Sequence, residues 1–172
     1  MSIDQRAGRC VGRAAERSRH SPADSPQRVL SSISARRATS VLIVIYNDDR
    51  QVLLLRRSRP FDFWQSVTGC LEPGEQHTEA ASRELWEETG FTDEGDLTFS
   101  GISRQYAIDP RWINRFPAGV IENVEFEWRY RLPEALQPKL SADEHSEFVW
   151  LPLSDAIEKT WSWTNKDALR NL

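Results

Sequence analysis

The sequence predicts a single domain of α/β class, more narrowly α+β, with a mixed β-sheet packed between α-helices. Three observations predict it. Segments of strand length and strand composition recur from "TSVLIVIYN" (39–47) to "SEFVWLPL" (146–153). Two or three short helical stretches lie among them. The chain has 172 residues, 39% hydrophobic content and seven tryptophans, enough for one core. No internal repeat is visible.

The elements follow in order. "TSVLIVIYN" is apolar and β-branched throughout, as a strand buried on both faces is. "NDDR" (47–50) is a turn, and "QVLLLRR" (51–57) pairs back as a second strand. "FWQSVTG" (63–69) reads as a third short strand. "CLEPGEQ" (70–76) is a loop turning at Pro73-Gly74. A helix is expected from Thr78, as N-cap, to Thr89, with Gly90 as its stop and Ala81 and Leu85 facing the core. "LTFSGISRQYAI" (97–108) and "NVEFEWRYRL" (123–132) alternate like half-exposed strands. Ser154 is placed to cap a helix over "DAIEK". Thr164 and Asp167 resemble a capping box for a last helix.

The charge is uneven. Residues 1–37 carry eight arginines against three acids, a net of +5. The remainder carries 14 bases against 23 acids, a net of −9. An acidic body argues against nucleic acid as the main partner. It leaves room for a phosphorylated small molecule, because a bound divalent cation reverses the local field. No apolar run reaches the ~18 residues of a membrane span. The two cysteines, Cys10 and Cys70, make no disulfide framework and favour a reducing, cytoplasmic setting. Residues 1–37, rich in Arg, Ser, Ala and Pro, read as a disordered extension to a domain spanning 38–172. Their composition also resembles an organellar transit peptide. A start site set too far upstream gives the same pattern.

The chemistry is in "RELWEETGF" (83–91). On a helix, residues three and four apart are neighbours, so Glu84 lies beside both Glu87 and Glu88. Like charges at that spacing repel, and a hard cation between them removes the cost. Mg²⁺ takes oxygen ligands and keeps waters and substrate phosphates in its shell. Gly69 and Gly74 let the preceding loop turn and approach a ligand. Arg83 and Glu75 have opposite charges, so Arg83 can tie that loop to the helix. A charged helix face is usually just solvated, but here the pattern is longer. From Gly69 the chain reads G-x5-E-x7-R-E-L-x-E-E-x-G, through Glu75, Arg83, Glu84, Leu85, Glu87, Glu88 and Gly90. Such a match is expected by chance less than roughly once in 10⁸ positions.

This pattern resembles the Nudix box, the signature of the Nudix hydrolase family. Phe91 departs from it, since an aliphatic residue is more usual there. The resemblance implies the Nudix fold and hydrolysis of a diphosphate linked to another moiety. It implies Glu84 and Glu88 as Mg²⁺ ligands, with Mn²⁺ as a possible substitute. Glu87 would be a ligand or the support of one, and Glu75 the partner of Arg83. Gly69 and Gly90 belong to the same framework. The general base would be Glu87 or a glutamate outside the box.

Flanking segments bear on the substrate. "FWQSVTG", "ADEHSEFVWL" (142–151) and "SWTNKDAL" (162–169) resemble the branch that hydrolyses dihydroneopterin triphosphate in bacterial folate synthesis. That resemblance makes Glu144 a further metal ligand. The branch that cleaves dinucleoside polyphosphates or capped RNA ends also carries Phe-Trp-Gln, but usually follows it with a proline and a paired glycine. "RQYAIDPRWINRFPAGVIENVEFEW" (104–128) matches only loosely, and the basic leader has no counterpart. Nucleoside triphosphates or dinucleoside polyphosphates remain alternative substrates, and a non-catalytic binding module a third reading. By residue chemistry, Arg57 is a candidate phosphate clamp or a solvated strand end. Thr68 and Ser162 are candidate donors to substrate or structural hydrogen bonds. Trp64 is a candidate to stack on a flat heterocycle or a core residue. His145 reads as structural.

Overall fold

The computed structural model describes residues 37–59 and 61–172. The extension read over residues 1–37 lies outside them, save for Arg37, which opens the first strand. That strand, β1, spans Arg37–Asn47. Val41 to Ile45 are all buried, because the sheet is covered on both faces. Val41, Ile43 and Ile45 join one core with Leu53, Leu85 and Trp128; Leu42 and Val44 join the other with Leu54, Ala168 and Leu169. Alternation along a single strand thus feeds two hydrophobic cores.

A turn closed by the Arg50 amide on the Asn47 carbonyl at 2.9 Å leads to β2, Gln51–Arg57. The expected third strand is two. Phe63–Gln65 (β3) pairs with β2, whereas Val67–Cys70 (β4) pairs with β1. The break falls at Ser66, fully buried, whose hydroxyl reaches Asn165 Oδ1 at 3.5 Å. Helix α1 covers His77–Thr89. Its cap is Gln76, not Thr78: the Gln76 amide donates to Glu79 Oε2 at 2.8 Å in a capping box. Gly90 ends it in the left-handed region, at φ 74°.

Strands β5 (Asp96–Ala107) and β6 (Glu122–Leu132) pair antiparallel, with a bulge between Phe99 and Ser103. A single 3₁₀ turn, Ile113–Arg115, lies in the loop between them. Strand β6 then runs parallel to β1 along its full length, from Arg37 beside Glu122 to Asn47 beside Leu132. β7 (His145–Pro152) joins the far side of β2, with a bulge at Arg56/Arg57 that sets Arg57 beside His145. The result is a seven-stranded mixed sheet.

Two short helices close the second face, α2 (Leu153–Lys159) and α3 (Trp163–Arg170). Pro152, rather than Ser154, precedes α2; the Ser154 hydroxyl instead donates to Asp155 at 3.1 Å. The cap of α3 is Ser162, accepting from the Asn165 amide at 3.1 Å. The Thr164/Asp167 box does not form, because Asp167 is taken by Arg104 at 2.7 Å. No helix among the described residues is long and apolar enough to cross a membrane.

Candidate active site

Helix α1 sets the acids. Ala81, Glu84, Leu85 and Glu88 form one stripe at helical spacing, and all four are buried. Glu87 falls off that stripe, with its side chain 46% exposed. Helical geometry therefore sends two carboxylates inward and one to the rim.

Arg83 organises the group. It forks onto Glu75, with Nε at 2.8 Å and Nη2 at 2.9 Å from the two carboxylate oxygens. Nη2 also donates to the Cys70 carbonyl at 3.0 Å, and Nη1 to Glu84 at 2.7 Å and Glu87 at 3.1 Å. One guanidinium thus ties the loop, β4 and the acids of α1 together. The Arg83 hydrogen bonds hold the Glu75 carboxyl below its usual range.

Gly69 makes room for Glu84. A Cβ at position 69 would lie 1.7 Å from Glu84 Cδ, so a side chain and this carboxylate cannot share the space. Burial, and then repulsion from Glu88, push the Glu84 carboxyl up to about 8 despite the Arg83 contact. Burial also raises Glu88, which is only 2% exposed, against the opposing pull of His145. Glu88 Oε2 lies 2.9 Å from His145 Nε2, and its Oε1 has no hydrogen-bond partner among the described residues.

The end of β7 brings in the rest. Glu144 lies 3.3 Å from Arg57 Nη1. Donor atoms of Glu88, Glu144 and His145 all lie within 4.8 Å of one another. Glu84, one turn from Glu88, is outside this group and held by Arg83. This acidic set suits a divalent metal: the inward Oε1 of Glu88 is unspent, and its raised carboxyl gains its charged form when a cation arrives. Oxygen donors dominate, as Mg²⁺ and Mn²⁺ prefer.

The group lies at one end of a cleft of about 1540 Å³. Arg57 and Arg115 line it beside Glu144, with the Trp112 ring 5.9 Å from the Arg57 guanidinium and 5.2 Å from that of Arg115. Thr68 lines it as well, accepting from Gln65 Nε2 at 3.2 Å. Ser162 reaches the cleft, but its oxygen caps α3. Trp64 does not line the cleft. Alternation along β3 turns Phe63 and Gln65 toward the cleft and Trp64 to the second core, under Lys159 at 4.7 Å. The aromatic wall is instead Phe63 with Trp112 and Trp161, at centroid distances of 5.8 and 5.3 Å. Reading from residues alone also missed His145 beside Glu88, and Arg115. The pair "EH" before a strand offered a signal for the histidine, since a ligand-bearing Glu144 draws its neighbour to the same site.

The fold and this acidic, cation-flanked cleft define a protein for phosphate chemistry at a divalent metal. The chain belongs to the NUDIX family: residues 36–172 match the NUDIX domain. It is 36% identical over 138 residues to dihydroneopterin triphosphate diphosphatase of Escherichia coli K12, covering 78% of this chain and 91% of that protein. An RNA pyrophosphohydrolase of Legionella pneumophila (strain Corby) is 33% identical, covering 73% and 68%. Among solved structures, the E. coli dihydroneopterin triphosphate pyrophosphohydrolase superposes with a TM-score of 0.73 at 34% identity, covering 78% of this chain and 93% of that one.

Proposed function

We propose that this protein hydrolyses dihydroneopterin triphosphate to dihydroneopterin monophosphate and pyrophosphate, with Mg²⁺ as cofactor. The observation that supports this most is the cleft itself. It joins an inward acidic group and two arginines at one end to an aromatic wall beside them, in a chain 36% identical to a named diphosphatase of that substrate.

Glu84, Glu88 and Glu144 would hold the ion. When bound, Mg²⁺ neutralises phosphate oxygens and lowers the pKa of water to a useful range. The residues of the chain do the rest. Arg57 and Arg115 face the phosphate end and offset charge that builds on the leaving pyrophosphate. Arg83 and Gly69 fix the position of Glu84. A glutamate takes the proton of the attacking water; Glu87, at the rim and paired with Arg83, is one candidate, and an acid outside the box is the other. Phe63, Trp112 and Trp161 exclude water beside the reacting phosphates.

A second reading, hydrolysis of nucleoside triphosphates or dinucleoside polyphosphates, draws on the likeness to a solved C. elegans Ap4A hydrolase, at 26% identity and a TM-score of 0.58. Turnover of dihydroneopterin triphosphate, dATP and diadenosine tetraphosphate, compared at saturating Mg²⁺ and read as pyrophosphate from the first two and as mononucleotides from the third, separates the two. The pterin substrate should give the highest kcat/KM; a preference for either nucleotide would overturn the proposal. Glu88→Gln should abolish turnover yet melt near the wild type, since the amide keeps the contact to His145 and burial already disfavours the charged carboxyl. Turnover retained in Glu88→Gln would remove this residue from the metal set.

A further inference from the structure

The cleft has a second end, toward β5 and β6 and away from Arg57 and Glu144 beside β2 and β7. Its floor is the sheet face that carries Ser40, Asn123 and Glu125. Parallel pairing of β1 with β6 sets Ser40 beside Glu125, and antiparallel pairing of β5 with β6 sets Tyr106 beside Asn123. All four residues line the cleft.

Their hydrogen bonds form a chain whose ends are open. Asn123 Nδ2 donates to Ser40 Oγ at 2.7 Å and to Tyr106 Oη at 2.9 Å. Tyr106 Oη in turn donates to Glu125 Oε2 at 3.0 Å, and the Thr164 hydroxyl supports the same carboxylate. Both amide hydrogens of Asn123 are therefore used, which fixes the amide and leaves Oδ1 as a spare acceptor. Among the described residues, neither Asn123 Oδ1 nor Glu125 Oε1 has a partner. These residues are 5% and 4% exposed. The charge of Arg104 reaches Glu125, but its Nε and Nη2 are committed to Asp167 and Glu127, and it does not line the cleft.

Buried acceptors without donors are rare and costly. Two of them, two residues apart on one strand face, point to a ligand that supplies N–H groups. Trp163 lines this part of the cleft and stands edge-on to Tyr106 at 5.7 Å. The ligand is therefore flat and presents neighbouring donors. A 2-amino-4-oxopyrimidine ring does both, through its ring N–H and its exocyclic amine; pterins and guanine share it. Adenine instead sets an unprotonated ring nitrogen beside its amine, which a carboxylate repels.

We propose that Glu125, assisted by Asn123, is the specificity residue that reads the 2-amino-4-oxopyrimidine edge of the substrate. This rests on the proposed pyrophosphohydrolase reading and names what would select the pterin over an adenine nucleotide.

The test uses the full chain, wild type and Glu125→Gln. Neopterin, which carries the ring and no phosphate, is titrated without metal and followed by tryptophan fluorescence. Turnover of dihydroneopterin triphosphate, GTP, ITP and ATP is compared with Mg²⁺. ITP lacks the 2-amino group of GTP. Glu125→Gln should weaken neopterin binding by roughly 10- to 100-fold, raise KM more than it lowers kcat, and erase any preference for GTP over ITP. Its melting temperature should not fall, because a buried acid with an open oxygen is removed. Wild-type neopterin affinity in Glu125→Gln would overturn the inference, as would a wild type that binds neither neopterin nor guanosine. If the wild type prefers GTP to the pterin substrate, the pterin reading fails, while loss of that preference in the variant still upholds Glu125. Should Glu125→Gln not fold, Asn123→Ala removes the other acceptor and must shift neopterin binding in the same direction.

Discussion

Gly69→Ala isolates the placement of one carboxylate. Strand β4 is fixed at this point, since Gly69 pairs with Val41 inside the sheet. A Cβ there would lie 1.7 Å from Glu84 Cδ and 1.9 and 2.3 Å from its oxygens. Non-bonded carbons come to rest near 3.5 Å, so one side must give by roughly 1.5–2 Å. The flexible side chain gives, not the paired backbone, and the 2.7 Å contact of Glu84 with Arg83 is lost. Overpacking costs about 1–3 kcal/mol. Part of that returns, because a displaced Glu84 leaves the burial and the Glu88 repulsion that raise its carboxyl. A net loss of about 1 kcal/mol lowers Tm by about 2–4 °C in a domain of this size. Turnover suffers far more: an ångström of misplacement near the reaction costs on the order of 10²-fold. The assay is pyrophosphate release at saturating substrate and Mg²⁺, beside a thermal melt of the same sample. Wild-type kcat in Gly69→Ala would refute the reasoning. A variant that unfolds would refute it too, by showing that the strand moved rather than the acid.

Two further predictions concern stability. The Glu84 carboxyl, ordinarily near 4.5, is pushed to about 8 in the folded protein. Between those values the folded chain holds a proton that the unfolded chain releases, so stability is present at low pH and lost as pH rises through the window. The loss is on the order of a few kcal/mol. In EDTA, Tm should fall between about pH 6 and about pH 8.5, and Mg²⁺ should raise it more at the higher pH, where the ionised acids favour the cation. A Tm in EDTA that is level or rises over that range would count against the buried placement of Glu84. Ser162→Ala removes the cap of α3 and should lower Tm by about 2–4 °C, the equivalent of about 1 kcal/mol, with KM unchanged. A higher KM at wild-type Tm would return Ser162 to the substrate.

The acids of α1 were legible because their neighbourhood is local. Gly69 to Gly90 is one loop and one helix, so spacing alone brings Glu84, Glu87 and Glu88 together. Even which acids turn inward was readable. Ala81 and Leu85 mark the core stripe, and Glu84 and Glu88 fall on it. The other end of the cleft was not legible, because it is made by pairing between distant strands. "NVEFEWRYRL" alternates correctly, yet alternation names two faces without saying what covers them. The face of Asn123, Glu125 and Glu127 looked solvated and is covered by α3, with Glu127 fully buried against Arg104 and Arg129. Trp64 failed for a related reason. The side of β3 that meets the cleft is fixed by its register with β2, where Trp64 pairs with Arg56, and not by its own three residues. The two ends of the cleft therefore carry separable properties. Substitutions on α1 and β4 should reduce turnover alike for every substrate, since every substrate brings phosphates to that end. Substitutions on β6 should change which ring is accepted and leave the metal dependence as it was. A Glu125 variant whose Mg²⁺ requirement shifted, with its ring preference intact, would show that the two ends act as one site.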